Sequence, residues 1–202
     1  MITVCCAKLK QDTDVALSSL LQAFGEQNSK YFEEISKRKN ASESLFAYMM
    51  LANMLGNAGC DPSTLTLSRS DLGKPHFEAS RFKFSISHSE GYAVCALSDE
   101  GEIGVDIEAK PITAEKAQNL AKRYFTENEI DRVMRDADEF RKIWTEKEAK
   151  TKFFGTSLAK ILKNEKKGTF VCGIVCHCFE YVNTPISLCT QENFGTIQLV
   201  KF

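Results

Sequence analysis

The 202-residue chain is 43% hydrophobic and 26% charged, a balance that supplies a globular core and excludes a disordered chain. Its formal net charge of -1 argues against bulk affinity for nucleic acid or an anionic membrane, so any polyanion has to be bound locally. Residues 1–8 lack a basic stretch leading into an apolar one. The longest apolar run, 46–55, contains Asn53 and is too short to span a bilayer, so a cytoplasmic protein is expected. In that setting the eight cysteines are expected as buried or reduced thiols rather than a disulfide framework.

Taken in chain order, residues 1–9 alternate weakly and predict a first strand. Residues 31–56, with Phe32, Ile35, Leu45, Phe46, Met49, Met50 and Leu55, predict one or two helices closed by Gly56. Short apolar runs between 65 and 97 are separated by turn signals, among them Ser89-Glu90-Gly91 and Asp99-Glu100-Gly101. They predict a small antiparallel sheet with strands at 84–87, 92–98 and 102–108. Helices are predicted at 111–124, 127–135 and 139–154, and strand character returns at 169–179, 187–190 and 196–200. The fold class expected is α+β, in two halves of residues 1–100 and 101–202 that meet near 98–101.

The acidic residues carry the chemistry. In Ile103-Gly104-Val105-Asp106-Ile107-Glu108 the strand alternation sends both carboxylates from one face. In Trp144-Thr145-Glu146-Lys147-Glu148-Ala149-Lys150-Thr151-Lys152, a helix places Glu148 one turn before Lys152, so a third carboxylate and a cation share a face. Hard oxygen ligands beside a cation fit magnesium and phosphate. The run Cys172-Gly173-Ile174-Val175-Cys176-His177-Cys178 lacks the paired Cys-x-x-Cys of structural zinc sites. Its alternation predicts a core strand with Cys172, Ile174, Cys176 and Cys178 on one face.

Two further blocks, Gly73-Lys74-Pro75 and Phe84-Ser85-Ile86-Ser87-His88-Ser89, precede the acidic strand. Together with it and the segment from Trp144 to Leu158, they resemble the 4'-phosphopantetheinyl transferases of the surfactin-synthetase-activating type, over roughly residues 30–160. The resemblance implies two similar α+β halves related by pseudo-twofold symmetry, with the active site in the cleft between them. It implies transfer of the phosphopantetheine arm of coenzyme A to a serine of an apo acyl or peptidyl carrier protein, releasing adenosine 3',5'-bisphosphate. It puts Asp106, Glu108 and Glu148 on Mg2+, Lys152 on the pyrophosphate, Ser87 and His88 on coenzyme A phosphates, and Lys74 with Pro75 beside the adenine. For the base that takes the serine proton it favours Glu129 or Glu148 without deciding. A monomer is expected, because the chain is long enough to hold both halves.

The sequence departs from that family in two places. Glu43, in Ser42-Glu43-Ser44-Leu45, stands where the family usually has an arginine. The basic run of Lys30, Lys37, Arg38 and Lys39 is the candidate substitute, with a solvated helix face as its alternative. In Gly155-Thr156-Ser157-Leu158, Ser157 replaces a common second glycine and puts the loop shape in question. A non-catalytic coenzyme A or carrier-binding protein of the same fold is therefore the competing expectation. An unrelated magnesium-dependent nucleotide hydrolase is a more distant one.

Overall fold

The computed structural model describes residues 1–9, 17–99, 101–169, 173–192 and 196–201. Glu100 and Cys172 lie outside the described residues, as do 170–172 of the strand expected from residue 169. The elements run β1 (Ile2–Lys8), α1 (Leu17–Phe24), α2 (Ser29–Ser36), α3 (Ala41–Asn57), β2 (Leu67–Arg69), β3 (Pro75–Phe77), β4 (Lys83–Ser89), β5 (Tyr92–Ser98) and β6 (Gly104–Ile107). They continue through α4 (Ala114–Tyr124), α5 (Glu127–Arg135), α6 (Glu139–Phe154), α7 (Leu158–Lys166), β7 (Ile174–Tyr181), β8 (Thr184–Gln191) and β9 (Ile197–Lys201). The fold is α+β.

The first sheet has the order β4-β5-β1-β9, with β9 parallel to β1 and the other pairs antiparallel. Its β1 strand is apolar on both faces for a reason visible in the period of two. Cys5 and Ala7 face α1, α2 and α3 across a core that includes Phe24, Phe32 and Tyr48. Ile2, Val4 and Cys6 face a second core shared with Val105, Ile107, Ile186 and Leu188. The second sheet, β6-β8-β7, supplies those last residues and lays its opposite face on α6. Helices, sheet, sheet and helix thus stack in layers.

This arrangement corrects the sequence expectation in three ways. Strand β6 is not the third strand of the β4-β5 sheet but pairs with β8, because only side chains of β4 reach it. Strand β9 returns to β1 across the molecule. Two cysteines are bonded: Cys176 and Cys189, opposite one another in the β7-β8 register, form a disulfide. Cys5, Cys6 and Cys95 do behave as inert thiols, since burial pushes their proton affinities up, to about 11 for Cys5 and about 12 for Cys6. Helices α1 and α7 lie in stretches where no helix is expected from the sequence.

Gly104 fixes how closely α6 approaches β6. A Cβ at this position would lie 2.1 Å from the Ala149 carbonyl oxygen and 2.4 Å from the Phe153 nitrogen, both helix backbone. No side chain can flex to relieve that overlap, so the absence of one at Gly104 sets the interlayer distance. Gly104→Ala is expected to destabilise the protein by about 1–3 kcal/mol in urea unfolding. Gly56→Ala, in α3 with open space around it, should stabilise by up to about 1 kcal/mol instead. Equal effects at the two positions would contradict the close approach.

Candidate active site

Strands β4 and β6 run side by side without a backbone ladder, and alternate serines of β4 do the joining. Ser85 Oγ accepts from the Val105 N–H at 3.0 Å, Ser87 Oγ donates to Asp106 Oδ1 at 2.7 Å, and Ser89 Oγ donates to Glu108 Oε1 at 2.7 Å. Ser89 also accepts from the Ala109 N–H at 3.1 Å. The period of two that aims Asp106 and Glu108 to one side of β6 is matched by that of Ser85, Ser87 and Ser89. Ser87, expected on a coenzyme A phosphate, lines the groove and holds an acidic side chain in place.

Helix α6 closes the site from above. Gly155, left-handed at φ 55°, ends it, and Ser157, extended at φ −87°, accepts from the Lys160 N–H to cap α7. The loop therefore needs no second glycine. Lys152 Nζ donates to Asp106 Oδ1 at 2.8 Å, to the Val105 carbonyl at 3.0 Å and to the Ile86 carbonyl at 3.2 Å. An ammonium has three protons, which these three acceptors on β4 and β6 match, and Lys152 lines both pockets described below. Glu148, one turn back, has its proton affinity raised by burial first and then by the negative charges of Asp106 and Glu108, against the opposing pull of Lys152.

Two adjoining pockets meet at Pro75, Ile86 and Lys152. One, of about 270 Å³, adds Lys74, Glu148, Thr151 and Thr156. The other, of about 200 Å³, adds Arg38, Ser44, Arg69, Ser87 and His88. Of the basic run between 30 and 39, only Arg38 lines this groove. Arg69 was not legible as a site residue. It comes in over the Tyr31 ring, 4.8 Å from its centroid, and donates to the Gly73 carbonyl at 3.0 Å. A lone Arg in a short strand gives no sequence signal.

Glu43 does not point an unopposed charge into the groove. Its Oε1 accepts from the Gly91 N–H at 2.6 Å, tying α3 to the β4-β5 turn. Its Oε2 lies 2.8 Å from His88 Nδ1, an electrostatic contact without the alignment of a hydrogen bond. His88 Nε2 meets Ser44 Oγ at 3.0 Å. Lys74 donates to Glu102 at 2.7 Å and to the Ile103 carbonyl at 3.3 Å, which anchors it at the start of the acidic strand.

Glu129 is brought elsewhere. Its Oε2 accepts from the Thr126 N–H at 2.9 Å at the start of α5, and its Oε1 accepts from Lys147 Nζ at 2.7 Å. It lines neither pocket of the groove, and both of its oxygens are engaged. Lys147, 1% exposed, also pairs with Glu165, whose other oxygen takes Lys150 at 2.7 Å. Lys147→Met is expected to cost about 3 kcal/mol, because it leaves Glu129 and Glu165 without their buried partner. Burial pushes the Glu165 carboxyl up, but hydrogen bonds from Lys147 and Lys150 outweigh it and hold the group below its ordinary range. Its contribution is present above the unfolded-state value and lost as the pH falls through the lower folded-state value. The unfolding midpoint should therefore drop below about pH 4, and drop less in Glu165→Gln.

The donor chemistry of Asp106, Glu108 and Glu148 fits a hard divalent cation: all three are carboxylates, and the charges of the first two are felt at the third. Among the described residues no three such groups converge into a finished cage. Residues 102–171, which include the trio and Lys152, match the family model of the 4'-phosphopantetheinyl transferase superfamily. The chain is 32% identical over 161 residues to the 4'-phosphopantetheinyl transferase HetI of Nostoc sp., covering 75% of this chain and 65% of that protein.

Over these stretches the chain is similar to the 4'-phosphopantetheinyl transferase superfamily.

It is also similar to the 4'-phosphopantetheinyl transferases AcpT of Salmonella typhi and gsp of Aneurinibacillus migulanus. AcpT is 39% identical over 99 residues, 46% of this chain and 50% of AcpT. The second is 27% identical over 165 residues, 78% of this chain and 68% of gsp. The chain thus spans about half to two thirds of the length of these curated relatives, from 50% to 68%. The superfamily match begins at Glu102, so Lys74, Ser87 and His88 stand outside it.

Proposed function

We propose that the chain is a magnesium-dependent 4'-phosphopantetheinyl transferase, moving the phosphopantetheine arm of coenzyme A onto a serine of an apo acyl or peptidyl carrier protein. The observation that carries this reading is the groove lined by Glu148 and Lys152, the latter bonded to the buried Asp106, beside two further cations, Arg38 and Arg69, and the His88 imidazole. Carboxylates for a metal and cations for phosphates, on adjoining walls, suit a long ligand with a pyrophosphate and a separate phosphate. The relatives' printed names agree with it. The groove then lies in the cleft between two α+β halves, residues 1–100 and 101–202, with a pseudo-twofold relation and β9 lent back to the first. The protein works as a monomer in the cytoplasm.

In this reading coenzyme A lies along the groove, its 3'-phosphate toward Arg38, Arg69 and His88 and its adenine against Pro75 and Lys74. Asp106, Glu108 and Glu148 are the residues that would hold magnesium, which would supply charge neutralisation at the pyrophosphate. Lys152 adds a fixed positive charge to the groove and holds Asp106 in orientation. Glu148, whose raised proton affinity suits proton transfer, is the remaining side-chain candidate to receive the carrier serine's proton. The competing view, binding without catalysis, rests on Glu43 and Ser157. Both have structural tasks here, at the Gly91 turn and the α7 cap, which supports the enzyme.

Mixing the protein with coenzyme A, magnesium and an apo carrier should add the phosphopantetheine mass to the carrier. Asp106→Asn, close in shape, should slow that transfer at least about 100-fold with the thermal unfolding transition retained. No mass gain on any of several acyl and peptidyl carriers would sink the transferase. Transfer within about twofold of wild type in Asp106→Asn would show the acidic trio to be misassigned.

A further inference from the structure

A cavity of about 270 Å³ lies between α6, α7 and β7 and shares no lining residue with the two pockets of the candidate active site. Glu146, Lys150 and Phe154, each two residues from Glu148 or Lys152, put it on the opposite face of α6. Phe154, Ile161 and Ile174 give it apolar walls, and Cys176 lies among them. Cys176 is half-buried, whereas its disulfide partner Cys189 is fully buried against Ala149 and Phe153 of α6 and is not among the described lining residues. The two sulfurs of one bond therefore differ in access, and a nucleophile entering the cavity meets Cys176. Access decides which sulfur is attacked in thiol–disulfide exchange.

The leaving sulfur also has a place prepared for it. Cys189 Sγ lies 3.9 Å from the Glu146 carbonyl oxygen, an acceptor for the proton that a released thiol carries. Charge narrows the entering thiol. Lys150 donates to Glu146 Oε1 at 2.6 Å and to Glu165 Oε1 at 2.7 Å, which leaves its third ammonium proton for an entering thiolate. With two carboxylates to one ammonium among the described lining residues, a thiol whose tail carries its own carboxylate is disfavoured.

We propose that the Cys176–Cys189 bond is an exchange site for a small thiol with a neutral or cationic tail. The thiolate sulfur bonds to Cys176 Sγ as the bond to Cys189 breaks. The electron pair of that bond leaves with Cys189, which takes up the proton the thiol has lost. The entering thiol is thereby oxidised to a mixed disulfide on Cys176, and Cys189 is reduced to a free thiol. Cys189 packs on Ala149 and Phe153, which adjoin Glu148 and Lys152 in sequence, so opening the bond loosens the backing of the helix that carries them. The exchange stands apart from the transferase reading and is tested without turnover.

The experiment incubates the folded protein, purified without reductant, anaerobically with reduced cysteamine. It then quenches with acid and an alkylating agent and maps the cysteines by mass spectrometry. No oxidant is present, so the exposed free thiol of Cys178 cannot take up cysteamine directly and serves as an internal control. The untreated protein should carry the Cys176–Cys189 bond, and the treated protein should carry cysteamine on Cys176 with Cys189 alkylated. Opening by cysteamine should be at least about tenfold faster than by 3-mercaptopropionate at equal thiolate concentration, a preference lost in urea. Asn164→Trp, which fills the cavity from α7, should slow opening at least about tenfold in the folded protein only, with circular dichroism verifying the fold. Free thiols at both positions in the untreated protein, or cysteamine on Cys189, would overturn the exchange site. So would an opening rate that neither Asn164→Trp nor the charge of the thiol's tail alters. Amide hydrogen exchange over residues 145–153 should quicken at least about fivefold once the bond is open, and unchanged protection there would overturn the link to the active-site helix.

Discussion

The Lys152 ammonium is the point on which the rest of the site depends. Three acceptors from two strands of different sheets converge on it: the Ile86 carbonyl from β4, and the Val105 carbonyl with Asp106 from β6. Neither strand can satisfy these groups through the other, since β4 and β6 share no ladder, and a charge-assisted hydrogen bond is stronger than a neutral one. The helix that carries Lys152 sits low enough to deliver it only because Gly104 has no side chain. The serines of β4 then complete the joint, each adding a hydrogen bond worth about 0.5–1.5 kcal/mol net. One cation, one glycine and three serines therefore fix where the acids stand.

That joint leaves an imbalance of charge. Asp106 is answered by Lys152, but Glu108 and Glu148 add two carboxylates, and the proton affinity of Glu148 rises accordingly. A divalent cation relieves this better than another protonated side chain would. On the opposite side of α6 the balance is different: Lys147 and Lys150 are interleaved with Glu129, Glu146 and Glu165, so acids and bases offset one another. The same helix thus presents a neutralised face to α5 and α7 and an acid-rich one to the groove.

Much of this was legible in the sequence where the signal is local. The alternation of Val105 and Ile107 with Asp106 and Glu108, and the one-turn spacing of Glu148 and Lys152, place the acids and the cation on the faces where they are found. What sequence could not supply was non-local. The membership of β6 in the β8 sheet depends on a partner some eighty residues away, and the disulfide depends on the β7-β8 register. Arg69 enters the groove from a three-residue strand, with no periodicity to mark it. Glu129 was a candidate base through the family resemblance alone, and its pairing with Lys147 arises only when α5 packs on α6.

The central claim is that Asp106, Glu108 and Glu148, assembled on the β4-β6-α6 joint, use a divalent ion to hold a coenzyme A pyrophosphate. Isothermal titration of coenzyme A with and without magnesium tests it most directly, in the wild type and in Glu108→Gln. The account predicts that magnesium tightens binding at least about tenfold, or roughly 1.4 kcal/mol, in the wild type and loses most of that effect in the variant. Equal affinity with and without magnesium in the wild type would contradict it.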